Sequence, residues 1–214
     1  MADGTFHPPA LDFVRPQSLR QLRRLQPVWH GHYADLSYIY ACINALRLLL
    51  EPSRPLPPRD CEQLFRFAVR FLDRAGLLAA TVERGLAPAG WTSLVRGVAD
   101  RAEDLACMRL AMAQPYPDGA VTFDQVNDAV RSAIDAREVV LIALAGHYEH
   151  YTVIAGYSRT RFRLFDGYGC SWLNLEACDV ASDIAIARHQ IDPRSMVTLG
   201  LAPTQHVDLL KDSS

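Results

Sequence analysis

From Ser37 to Leu50 the segment SYIYACINALRLLL is apolar at nearly every position. Asn44 and Arg47 interrupt the run and Glu51 follows it. On a helix turning about 100° per residue, Asn44, Arg47 and Glu51 fall on one narrow stripe, and Ser37 joins it at the N-terminal end. A helix that is apolar almost all round is a buried helix, so the rest of the chain has to build a core around this one. Asp35 or Ser37 can serve as its N-cap. The same end of a helix favours negative charge, as on an activated nucleophile or an oxyanion. The plainest role for Ser37 is that of a cap.

The chain of 214 residues is long enough for a substantial core, in one large domain or two closely packed lobes. Half its residues are hydrophobic and its net charge is −2, which describes a soluble globular protein with no basic excess to attract nucleic acid. The apolar runs are too short to span a bilayer, and the first residues lack the basic and apolar regions of a signal peptide. The expectation is a cytoplasmic protein with no membrane partner. Five scattered cysteines, none in a CxxC pair, are expected to be free thiols. Of the 22 cationic residues, Lys211 is the one lysine. A GC-rich genome explains that bias; avoidance of lysine-directed conjugation is an alternative.

Residues 1–16, with three prolines and no periodicity, are expected to form an extended N-terminal arm, and residues 17–214 a single domain. The first part of that domain reads as helices. Leu19, Leu22 and Leu25 suggest a short amphipathic one, ended by Pro27. After the central helix and a proline-rich connector come helices over 60–75, 77–84 and 89–105. A strand is expected at 107–112. Another helix runs from Thr122 to Ala136, with Thr122 as N-cap and Gln125 completing a capping box. Strand patterns then take over, at 138–145, 150–156, 161–165, 172–175, 184–189 and 196–201. Helices first and consecutive antiparallel strands afterwards make the class α+β, with a helical lobe over about 17–136 and a sheet lobe over about 137–205.

Three residues stand in an order that could carry chemistry. Ser37 opens the buried helix, His150 begins a strand, and Asp166 follows the end of the next. In an antiparallel hairpin the start of one strand lies beside the end of its neighbour, so His150 and Asp166 can meet. A nucleophile needs a base within hydrogen-bond reach, and the base needs a group to orient it. Here the carboxylate would fix the imidazole tautomer, and the helix dipole would stabilise charge at residue 37.

The segments DLSYIYACINALRLLL, HYTVIAGYS and RLFDGYG resemble papain-like cysteine peptidases, in particular the bacterial branch that includes double-glycine leader peptidases. In that branch a Cys-Gly pair opens the central helix, a His-Trp or His-Tyr begins a strand ending in Gly-Tyr, and an Asp or Asn follows the next strand. The resemblance spans about a quarter of the chain, and the order of its parts agrees. It implies a papain-like fold, acyl transfer to or from a peptide or amide, a peptide or protein segment bound in a cleft, and no cofactor. It places the nucleophile at Ser37, the general base and acid at His150 and the orienting carboxylate at Asp166.

Three positions depart from that pattern. Ser37 and Tyr38 stand where the branch has Cys and Gly. His30 and His32 occupy the neighbourhood of the glutamine that completes the oxyanion hole, which makes either a candidate donor to the oxyanion; Gln26 lies further upstream. A serine hydroxyl is a far weaker nucleophile than a thiolate. The chain is therefore an engineered Cys-to-Ser form, a natural pseudoenzyme or a true serine variant. That two further positions also differ favours natural divergence. Activity is expected to be low or absent.

Alternatives remain open. Cys42 serves as nucleophile only if the helix begins there; as written it lies about 140° round the helix from Ser37, among apolar residues. The chain can instead be a catalytically dead module that binds a peptide or protein segment. His30 and His32 with His147 and His150 could make a metal-dependent hydrolase, but they lack acidic or thiol ligands at a fitting spacing, so no metal is expected. Asn44 is expected to satisfy buried backbone groups. His189 and His206 read as surface residues. Tyr151, Tyr168 and Trp172 read as core aromatics or cleft walls, and Arg161 and Arg163 as a solvated strand face.

Overall fold

The computed structural model describes residues 25–28, 36–146, 149–181 and 187–202. At its centre is α1 (Ser37–Leu50), and only Tyr40 and Arg47 of its residues keep appreciable exposure. Its polar stripe is used internally. Asn44 Oδ1 accepts a hydrogen bond from the Val28 amide at 2.8 Å, and the Arg47 guanidinium donates to the Gln26 carbonyl. The two side chains clasp residues 25–28 against the helix. Asn44 is 1% exposed, so Asn44→Ala would leave the Val28 amide without its acceptor. A loss of about 1–2 kcal/mol is expected, read as a lower midpoint in urea unfolding with an unchanged slope.

Two helices pack on α1, α2 (Pro58–Arg74) and α4 (Pro88–Ala106), and the short α3 (Leu78–Arg84) packs on α2. Both α2 and α4 begin with proline, which tolerates the first helical position because the amide it lacks has no partner there. On α2 the buried residues are Leu64, Ala68 and Leu72, one narrow stripe at four-residue spacing. On α4 they include Trp91, Leu94, Val95, Val98 and Ala102. These boundaries lie within two residues of those the periodicity predicts. A further helix, α5 (Phe123–Asp135), carries the predicted Thr122–Gln125 capping box with both of its hydrogen bonds.

The strands are β1 (Leu110–Ala113), β2 (Val139–Gly146), β3 (His150–Tyr157), β4 (Arg161–Leu164), β5 (Trp172–Asn174), β6 (Cys178–Val180) and β7 (His189–Leu201). They form one sheet in the order β1-β7-β2-β3-β4-β5, all antiparallel, with β6 lying parallel to the start of β7. The class is therefore α+β, as the sequence indicates. Residues alternate between the two faces of the sheet. Leu141, Val153 and Val197 join the core built on α1, α2 and α4; Val140, Ile142 and Ile154 join a second core under α5. The last of the predicted helices thus covers the opposite face of the sheet from the others. No described helix is long and apolar enough to cross a membrane.

The main departure from expectation is at the end of the chain. The sequence suggests separate strands at 184–189 and 196–201. Residues 182–186 lie outside the described set, and β7 runs unbroken from His189 through Pro193 to Leu201. A bulge makes this possible: the register with β2 shifts between Leu141 and Ala143. The Ser195 hydroxyl repairs the ladder there, accepting from the Ala143 amide at 2.7 Å and donating to the Asp192 carbonyl at 2.6 Å. Proline is admitted to sheets at bulges for this reason. His189, expected at the surface, is buried beside Gly146 at the head of β7.

Candidate active site

The β3–β4 hairpin brings His150 and Asp166 together. Ile154 pairs with Leu164, and the Phe165 amide donates to the Val153 carbonyl at 2.9 Å. The chain therefore enters residue 166 alongside the beginning of β3. His150 Nε2 meets Asp166 Oδ1 in a direct contact. Thr152, two residues along the same face of β3, donates its hydroxyl to the same oxygen at 2.8 Å. The other carboxylate oxygen accepts from the amides of Tyr168 at 2.9 Å and Cys170 at 3.2 Å. Gly169, with φ +91°, supplies the left-handed residue this turn needs.

Asp166 is 3% exposed. Burial works to raise its carboxyl, but the hydrogen bond and charge of His150, with the bonds from Thr152 and Tyr168, outweigh burial and hold it below the usual carboxylate range. A carboxylate facing Nε2 sets the proton on that nitrogen, which leaves Nδ1 as the basic atom of a neutral ring. Tyr168, exposed to solvent, stands with its ring centroid 5.9 Å from the imidazole.

Ser37 is the first residue of α1, but it does not cap the helix. The N-cap position belongs to Leu36, with no side-chain cap. The Ser37 hydroxyl instead accepts from the amide of Tyr151 at 3.3 Å, so it sits next in space to the strand residue that follows His150. Asp35, the other expected cap, lies outside the described residues. The first-turn amides of α1 have no acceptor within the helix, so the positive end of its dipole is at Ser37.

Ser37, His150 and Tyr151 line one cleft of about 450 Å³. Its other walls are α3 with Gly85 and Leu86, residues 143–145 at the end of β2, and Asp192 on β7. Tyr151 braces the floor. Its ring lies 4.6 Å from that of Trp91 and 6.2 Å, edge-on, from that of Tyr38, and its hydroxyl donates to the Leu86 carbonyl at 2.6 Å. Trp91 in turn donates to the Ser195 carbonyl at 2.7 Å. Burial, with Asp192, Tyr38 and Cys42 nearby, pushes the Tyr151 phenol up to about 12, so this residue stays neutral and structural.

The other expected site residues fall elsewhere. Cys42 is 1% exposed within the core, five residues into a helix that begins at Ser37, and burial drives its thiol far up from the usual range. The condition for Cys42 to act as nucleophile, a helix starting at that residue, is not met. His30, His32, His147 and His206 lie outside the described residues. Among the described residues no group of three or more His, Cys, Asp or Glu side chains is arranged to hold a metal ion. Trp172 carries the Arg163 guanidinium 5.5 Å above its ring on the β4–β5 pair, away from the cleft lining. No disulfide joins any of the five cysteines.

Several residues of the site escaped the sequence reading. Thr152 had a signal, since it shares the face of His150 at the two-residue period. Asp192 and the α3 wall had none, because each reaches the cleft through tertiary packing. No protein-family model matches the chain, and no curated protein is significantly similar to it.

Proposed function

We propose that the cleft is an acyl-transfer site of papain-like architecture, a peptidase or amide hydrolase site with a serine in the nucleophile position. One observation supports this above all. The Ser37 hydroxyl and the His150 imidazole, remote in the chain, line one cleft at the positive end of a buried helix, and the buried Asp166 carboxylate contacts that imidazole. In this reading His150 Nδ1 takes the proton from the nucleophile and returns it to the leaving group, and Asp166 holds the ring and stabilises the imidazolium. The first-turn amides of α1 receive the oxyanion of the tetrahedral intermediate. A serine hydroxyl is a poorer proton donor than a thiol, so turnover is slow.

A second reading is favoured by the environment of Ser37. The residue is 4% exposed and its hydroxyl is engaged by a backbone amide, and Tyr38 fills space where the resembled branch has glycine. This is also the state of a cleft that binds a peptide without cleaving it. A serine-reactive fluorophosphonate separates the two. An acyl-transfer site should become modified at Ser37, slowly, with labelling at least about tenfold slower in His150→Ala. An unlabelled Ser37 in the intact protein gives the cleft to binding alone, and labelling concentrated on another residue moves the site.

A further inference from the structure

A second groove, of about 500 Å³, opens on the surface of α2 and α4. Arg66, Arg70 and Arg74 follow one another at four-residue spacing along α2, and Arg101 on α4 completes the wall. The floor is Phe67 and Phe71, with ring centroids 6.2 Å apart. That floor is fixed from below: a methyl group at Gly97 of α4 would come within 3.0 Å of the Phe71 ring, so the two helices meet there without slack. Among the described residues no acidic side chain lines the groove. Glu62 pairs with Arg66 and Asp104 with Arg101 at its margins, while Arg70 and Arg74 form no ion pair among the described residues.

Like charges four residues apart on a helix repel, so this arginine row lowers the stability of α2. An anionic partner would relieve that repulsion. The row spans about 12 Å at the helical rise, with about 6 Å between successive guanidinium positions. An extended peptide repeats its side-chain direction about every 6.6 Å. Acidic residues at alternate positions of an extended segment would therefore meet successive arginines. Arginine suits this task because its planar fork takes a carboxylate through two hydrogen bonds. A nucleic acid fits less well: the chain as a whole carries a net charge of −2, so a long polyanion meets repulsion outside the groove.

We infer that this groove binds an extended acidic segment of a partner protein. The inference stands apart from the chemistry of the cleft. The test is fluorescence anisotropy of the intact protein with a labelled eight-residue peptide alternating glutamate and serine. A peptide with lysine in place of glutamate and an oligothymidylate of similar length are run beside it. The glutamate peptide should bind saturably, more weakly as salt is raised, and the lysine peptide should not. Arg70→Glu with Arg74→Glu should weaken binding at least about tenfold while circular dichroism stays unchanged. If that pair disturbs the fold, Arg70→Gln with Arg74→Gln should still weaken binding, by less. Absence of saturable binding at low salt overturns the inference. So does binding that survives loss of the two arginines in a folded variant, or an oligothymidylate that displaces the peptide.

Discussion

Ser37→Cys is expected to yield a thiol that reacts with iodoacetamide at pH 5.5 about 30-fold faster than an ordinary exposed cysteine. An ordinary thiol, with a pKa of about 8.5, is only about 0.1% thiolate at that pH. A thiol at a helix N-terminus beside an imidazole is mostly ionised, because the imidazolium and the dipole both stabilise the anion. Ionisation alone would give a gain of about a thousandfold. The lower basicity of such a thiolate makes it a weaker nucleophile, which takes back about 30-fold for a fall of three to four pKa units.

Free glutathione serves as comparator, and Cys42 and Cys178 do not compete, since both are buried and burial raises both of their thiols. Labelling of glutathione should fall about tenfold for each unit of pH below neutrality, while labelling at position 37 stays nearly flat to about pH 5. Adding His150→Ala should restore the steep dependence at position 37. A steep profile at position 37 with His150 intact would show that the imidazole does not activate that residue, and the acyl-transfer reading would fail. A flat profile with no cleavage of any peptide offered would place the defect in substrate binding, at Tyr38 or the α3 wall.

The parts of this architecture that could be read from the chain are those fixed by local pattern. The nearly all-apolar sequence of α1 required burial, the Thr122–Gln125 spacing required a capping box, and the geometry of a hairpin required His150 to lie beside the segment just past β4, where Asp166 stands. What could not be read depends on contacts between distant segments. Ser37 looked like a cap because serine at a helix start usually is one. Its actual partner is an amide 114 residues away, which no local rule supplies. β7 runs unbroken through Pro193 because the Ser195 hydroxyl satisfies the Ala143 amide across a bulge. His189 is expected at the surface, yet it is buried where β7 pairs with Gly146 on one side and β6 on the other.

Asp166 offers the sharpest separation between holding the fold and preparing the base. Asp166→Ala removes the acceptor for the Thr152 hydroxyl, for the amides of Tyr168 and Cys170, and for His150 Nε2. Stranding several buried donors should cost about 3 kcal/mol or more, a fall of roughly 6–12 °C in thermal midpoint for a chain of this size. Asp166→Asn keeps the shape. Its carbonyl oxygen can take the two turn amides, and its amide group then faces Thr152 and His150 as a donor. The threonine hydroxyl can rotate to accept, so the loss of stability should be smaller, about 1 kcal/mol. The imidazole, however, must now accept at Nε2, which moves its proton to Nδ1 and ends its use as a base toward residue 37. In the Ser37→Cys background, Asp166→Asn should therefore abolish the flat labelling profile while the fold persists. The acid limb of stability carries the same signature. The Asp166 carboxyl is held below its unfolded value, so its contribution is complete above about pH 4 and is lost as pH falls through the lower folded value. Asp166→Asn should flatten that limb, and urea midpoints measured between about pH 2 and pH 5 would show it. If the native protein and Asp166→Asn lose stability in parallel over that range, the carboxylate at 166 is not the group that His150 and Thr152 hold ionised.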